Sequence, residues 1–78
     1  MEIYPNPTEG EVHITFVNLT SDTDSSIEVI GMDGAVIFTI DHVSMKEVCN
    51  LHELPSGLYL IRVKNGEQIK TKKVIVVK

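Results

Sequence analysis

The sequence predicts an all-β fold, a small antiparallel β-sandwich of six to seven short strands. Three observations carry that expectation. Apolar residues recur with a period of two, as in Val12, Ile14 and Phe16, which places them on one face of an extended chain. Turn-forming residues return every ~8 to 12 positions, the spacing of a sandwich or, as the alternative, an antiparallel barrel. Tyr4, Phe16, Phe38 and Tyr59 are the only aromatics within an apolar fraction of 42%, so β-branched side chains must fill the core. At 78 residues the chain is a single domain, near the lower size at which a core alone sustains folding.

The opening run is Ile3-Tyr4-Pro5-Asn6-Pro7-Thr8-Glu9-Gly10. Pro5 and Pro7 fix φ at about −65°, donate no N–H and push Tyr4 and Asn6 toward extended geometry, so a rigid arm is expected and a helix is excluded. Gly10 is expected at a positive φ where the arm turns into a half-buried strand, Glu11 to Val17. Asn18 to Ser26 is polar, rich in turn formers and reads as a loop.

Ile27 to Met32 and Ala35 to Asp41 flank Asp33-Gly34, a strong hairpin signal. A two-residue turn sets Ile27 opposite Ile40, Val29 opposite Phe38 and Gly31 opposite Val36 on the core face. The other face pairs Ile30 with Ile37 and Met32 with Ala35, apolar enough to call for cover by the arm, a loop or a partner. Ser44 to Leu51 fits neither period, leaving a strand, a bulge or a short helical turn open there.

Leu54-Pro55-Ser56-Gly57 is a turn, followed by a strand from Leu58 to Lys64 and a second hairpin at Asn65-Gly66. A two-residue loop would set Tyr59, Ile61 and Val63 against Lys72, Lys70 and Gln68. A three-residue loop including Glu67 sets Val63 opposite Ile69 and Ile61 opposite Thr71, and is the expected form. Val74 to Val77 makes the final strand. The whole pattern indicates immunoglobulin-like architecture.

Charge is divided along the chain. Residues 1–61 hold ten acids against Lys46, a net −9, whereas residues 62–78 hold Arg62, Lys64, Lys70, Lys72, Lys73 and Lys78 against Glu67, a net +5, giving −4 in all. The basic end either neutralises acidic neighbours across the sheet or offers a cationic face to a partner. Nucleic acid is a poor partner for an acidic domain with no aromatics among its lysines. The lone Cys49 makes no internal disulfide. No apolar run approaches the ~18 residues of a membrane span. No secretory leader precedes the prolines, so the chain either stays inside or is a fragment of a longer precursor.

Candidate chemistry is sparse. Cys49 and His52, with His13 and His42 nearby in sequence, lack further ligands at metal spacing, and no third group orients a Cys/His nucleophile, so neither metal nor cofactor is expected. Asp22-x-Asp24-x-Ser26 begins like a calcium loop, but Ile27 stands where the sharp-turn glycine belongs and Asp33 replaces the bidentate glutamate. Asn18-Leu19-Thr20 fits a glycosylation acceptor.

Taken in order, Tyr4-Pro5-Asn6-Pro7 with Gly10 and Val12, Ile27-Glu28-Val29 with Asp33-Gly34, Leu54-Pro55-Ser56-Gly57-Leu58-Tyr59-Leu60-Ile61, and Lys72-Lys73-Val74-Ile75-Val76-Val77-Lys78 resemble the C-terminal sorting domain of proteins exported by the type IX secretion system (Por secretion system) of Bacteroidota. The resemblance is to the type A domains and covers nearly the whole chain. Leu58 stands where the family usually has Val or another aliphatic between glycine and tyrosine, and Met45 to Cys49 follows no strong family pattern. The resemblance implies a non-catalytic tail, excised from a longer secreted precursor, with Met1 a start added for expression. Such tails fold in the periplasm, direct a passenger across the outer membrane to the cell surface or beyond, and are removed by a sortase-like protease that can attach the passenger to lipopolysaccharide.

By the same resemblance Pro5, Asn6, Pro7 and Gly10 set the junction, Gly57 and Tyr59 match a Gly-x-Tyr element, and Lys72, Lys73, Val76, Val77 and Lys78 belong to the terminal element read by the secretion machinery. An apolar terminal strand at a sheet edge would pair with a strand of that machinery, its lysines selecting an acidic surface. The reading from a different class is a carbohydrate-binding or adhesive β-sandwich appended to an extracellular enzyme, which the lack of Trp makes a poor fit.

Overall fold

The computed structural model describes residues 2–16, 25–41, 43 and 46–78. Among these the chain forms seven strands and no helix: β1 (Glu2–Tyr4), β2 (Glu11–Thr15), β3 (Ser25–Ile30), β4 (Val36–Asp41), β5 (Lys46–Asn50), β6 (Gly57–Asn65) and β7 (Gln68–Val76). They build two antiparallel sheets, β1-β2-β5 and β4-β3-β6-β7. The sandwich read from the period-two pattern is the observed architecture, and no helix of the described residues is long and apolar enough to cross a membrane.

The core lies where the apolar faces meet. Val12 and Ile14 of β2 and Cys49 of β5 come from the smaller sheet; Ile27, Val29, Tyr59, Ile61, Val63, Val74 and Val76 come from the larger, with Val43 and Leu51 joining them. Phe16, Phe38 and Ile40 pack at the margin. The ambiguous middle segment is β5, paired with β2 along Glu11↔Asn50 to Thr15↔Lys46. Its periodicity is blurred because Cys49 alone of its residues is buried while Val48 faces outward, 51% exposed.

Both hairpins differ in register from expectation. In the first, Ile27↔Ile40 and Val29↔Phe38 pair as the pattern predicts, but a shift at Val29/Ile30 sets Ile30, not Gly31, opposite Val36. The loop is longer than two residues: Gly31 N–H donates to the Ala35 carbonyl and Gly34 N–H to the Gly31 carbonyl, at 3.0 Å each. Gly34 takes φ +87°, the left-handed residue that closes a three-residue hairpin loop. Asp33 Oδ1 adds a hydrogen bond from Ala35 N–H that favours this longer turn.

In the second hairpin the expected three-residue loop is replaced by Gly66-Glu67, between paired Asn65 and Gln68. Gly66 has φ +62° at the first loop position, where both common hairpin turns want a positive φ. Val63 therefore faces Lys70, and Ile61 faces Lys72. The mismatch is tolerated because β7 is an edge strand and these lysines are exposed. The final strand is also longer than Val74 to Val77, starting at Gln68 and ending at Val76.

Ser25 and Ser26, expected in a loop, begin β3; Ser25 Oγ accepts from Val43 N–H at 3.0 Å in a buried position. Asn18, Thr20, Asp22 and Asp24, and with them the glycosylation and calcium motifs, lie outside the described residues, as does His42.

Candidate functional site

The proline arm and the terminal strand, separate at opposite ends of the sequence, meet along one edge of the larger sheet. After pairing with β2 through β1, the chain passes Pro5 and Pro7, both preceded by cis peptide bonds, and runs beside β7. Asn6 inserts its carboxamide as a surrogate strand residue: Nδ2 donates to the Lys73 carbonyl at 2.9 Å and Oδ1 accepts from Ile75 N–H at 3.0 Å. Two residues on, Thr8 N–H donates to the Ile75 carbonyl and Val77 N–H donates to the Thr8 carbonyl, both at 2.8 Å, in a parallel bridge with Val76. The backbone edge from Lys73 to Val77 is thus occupied by the arm, which removes the unpaired groups an edge strand otherwise presents.

Thr8 is the hinge of this clasp. It is 3% exposed, and its Oγ1 donates to the Glu11 carbonyl at 2.7 Å while accepting from Gly10 N–H at 3.1 Å. Its hydroxyl fixes the local turn at which Gly10 leads into β2. Gly10 has φ +159°, next to extended backbone. Its glycine identity answers a close approach instead: a Cβ there would overlap the His52 ring. The Gly10 carbonyl accepts from Leu51 N–H at 2.5 Å, tying the arm to the turn after β5.

The terminal residues close the same corner. Lys78 N–H donates to Ser56 Oγ at 3.0 Å and Lys78 Nζ to the His52 carbonyl. Pro7, Thr8, Glu9, His52, Val77 and Lys78 line a groove of about 800 Å³ there. Of the terminal element, Val76 is buried, Val77 is half exposed, and Lys72 and Lys73 are exposed on opposite faces of β7. Gly57 pairs with Val76, and a Cβ on it would meet only ordinary contacts near Tyr59. Tyr59 is a core residue whose hydroxyl donates to the Pro55 carbonyl at 2.6 Å, bracing the turn beside Gly57.

The structure therefore brings Pro5, Asn6, Pro7 and Gly10 together with Lys73, Val76, Val77 and Lys78, and places Lys72 farther along the strand. Sequence reading missed Thr8, His52 and Ser56. A threonine two residues before Gly10 was an available signal for Thr8, since Thr hydroxyls make such local turns. His52 and Ser56 act through a backbone carbonyl and a single hydroxyl, for which the sequence carries no pattern.

Basic residues divide into paired and unpaired sets. Arg62 Nε and Lys64 Nζ meet Glu28 Oε1 at 2.8 and 3.6 Å on the outer face, and the Arg62 hydrogen bond holds the Glu28 carboxyl below the usual carboxylate range. Across-sheet neutralisation is thus real for these two, whereas Lys70, Lys72 and Lys73 have no ion pair with any described residue. Burial pushes the Cys49 thiol up to about 11, the behaviour of an inert core cysteine. Cys49 is enclosed and His52 exposed, so the pair does not converge. The aromatics form no exposed row: Tyr4 stacks on His13 at 5.5 Å, while Phe16, Phe38 and Tyr59 belong to the core or its margin.

A family model described as a secretion system C-terminal sorting domain matches residues 2–77. No curated protein matches the chain.

Proposed function

The chain belongs to the family of type IX secretion C-terminal sorting domains, and on that premise we propose that it is a non-catalytic address for a passenger linked ahead of residue 1. The passenger and tail reach the periplasm together, the tail is engaged by the type IX machinery, and the passenger emerges at the cell surface or outside the cell. A sortase-like protease then cuts upstream of the arm, with attachment of the passenger to lipopolysaccharide as the final step. The tail is substrate in this scheme.

The clasp of Asn6 and Thr8 on Lys73 to Val77 is the observation that carries this reading beyond the family. It ties the proline arm, the segment that follows β1, to the terminal element, and supports a reading in which one docking event engages both. Exchange of those hydrogen bonds costs little net free energy, about 0.5–1.5 kcal/mol each, which suits an element that must be handled rather than locked.

A periplasm-directed reporter fused ahead of residue 1 tests the proposal in a type IX-competent host. Export of the reporter, and its retention when Val77 and Lys78 are deleted, is the expected result. Export undiminished by that deletion rejects the terminal element as the part that is read. A glycan array with a clear hit would favour the adhesive-module reading instead.

A further inference from the structure

We propose that the remaining half of the β7 edge, Ile69 to Lys73, docks an extended acidic segment of a partner protein, which adds to the four-stranded sheet as a fifth strand. The edge is a property of the fold; that its partner belongs to the export route rests on the sorting-signal reading.

The arm fixes which backbone groups are free. Ile75 N–H and C=O and Val77 N–H meet Asn6 and Thr8, as does the Lys73 carbonyl. Strand geometry alternates, so Ile69 and Thr71, of the same parity, point N–H and C=O away from β6, and Lys73 its N–H. Among the described residues nothing meets these groups. The open stretch is bounded by the Gly66-Glu67 turn at one end and Asn6 at the other. It accepts a strand of about five residues, roughly 17 Å long.

Its side chains specify the partner's chemistry. Lys70 and Lys72 share one face, while Ile69, 59% exposed, and Thr71 share the other with Lys73. An incoming strand with acids opposite Lys70 and Lys72, and apolar residues opposite Ile69 and Thr71, satisfies backbone, charge and apolar surface together. A second copy paired through the same edge would set lysines against lysines. The other edge of the sheet, β4, offers only Asp41 as an acid.

Lysines on an edge also serve simply to deter pairing, and the experiment separates the two roles. An end-blocked peptide alternating Glu and Val is titrated into the domain, and amide hydrogen exchange is followed residue by residue. The expected result is saturable, salt-sensitive binding that slows exchange of the Ile69, Thr71 and Lys73 amides by about tenfold. Thr71→Pro removes an outward donor from an edge position where proline is accommodated, and binding should weaken by about tenfold; Thr71→Val should bind as the parent does. Lys70→Glu with Lys72→Glu tests charge without touching the backbone and should abolish binding. Binding without amide protection, unchanged binding by Thr71→Pro and by the Glu pair, or protection on β4 instead would overturn the proposal, as would concentration-dependent dimerisation through β7.

In the export assay, a Thr71→Pro tail should be retained and a Thr71→Val tail exported. Export of both at the parental level overturns the part this edge plays in export while leaving the sorting-signal reading intact. Failure of the parental tail overturns that reading, and the peptide titration still decides the edge.

Discussion

Asn6 does with one side chain what a strand residue does with its backbone. Its donor and acceptor bridge Lys73 and Ile75 from 67 and 69 residues away in sequence, and no local pattern marks that job. Asn6→Ala removes both bonds and should lower stability by about 1–2 kcal/mol, read from the denaturant midpoint, with faster exchange at the Ile75 amide. Tyr59 was more legible: an apolar ring in an alternating strand is core, with its hydroxyl at the rim. Tyr59→Phe should cost about 0.5–1.5 kcal/mol through the lost bond to Pro55 while leaving the strand intact.

Glu28 sets an acid limit. Its carboxyl is held below its ordinary value of 4.5, chiefly by Arg62, so its ionised form stabilises the fold at neutral pH. That contribution is complete above the unfolded-state value and fades as pH falls through the lowered folded-state value. Glu28→Gln should melt below the parent at pH 7, and the gap should close on acidification below about pH 4. A gap constant down to pH 2 would mean that the loss is packing and not charge.

At the scale of elements, hairpins were legible in existence and less so in register. Asp33-Gly34 and Asn65-Gly66 mark both turns, but matching apolar residues across the second turn favours Val63 against Ile69, and the structure sets Lys70 there. An edge strand has no neighbour on its far side to penalise such a pairing. The arm is an element too, and its seat depends on the far end of the chain. Deleting Val77 and Lys78 removes the bonds to Thr8, Ser56 and His52. Proteolysis and amide exchange at residues 5–9 should then quicken before the core opens. Equal protection of the arm in both forms would contradict the coupling.

The whole molecule is a thin sandwich, 35 × 23 × 16 Å, whose stability rests on one apolar layer. Ile61 sits fully buried within it; Ile61→Ala should cost about 2–5 kcal/mol, a large part of what a small domain has. Cys49 reports on the same layer. Buried and with its thiol pushed up to about 11, it should resist a thiol reagent at pH 8 in the native state and react at the rate of unfolding in denaturant.

Alternation and turn chemistry are local, so the sequence by itself determined that this protein is a β-sandwich, where most strands run, and which residues line the core. The ordered motifs from Tyr4-Pro5-Asn6-Pro7 to Lys78 also determined its family. Only the tertiary structure decided that the arm lies on the terminal strand, that Thr8 anchors it, and that the open edge ends at Lys73. Those outcomes depend on hydrogen bonds between residues more than sixty positions apart, set by how two sheets close on each other.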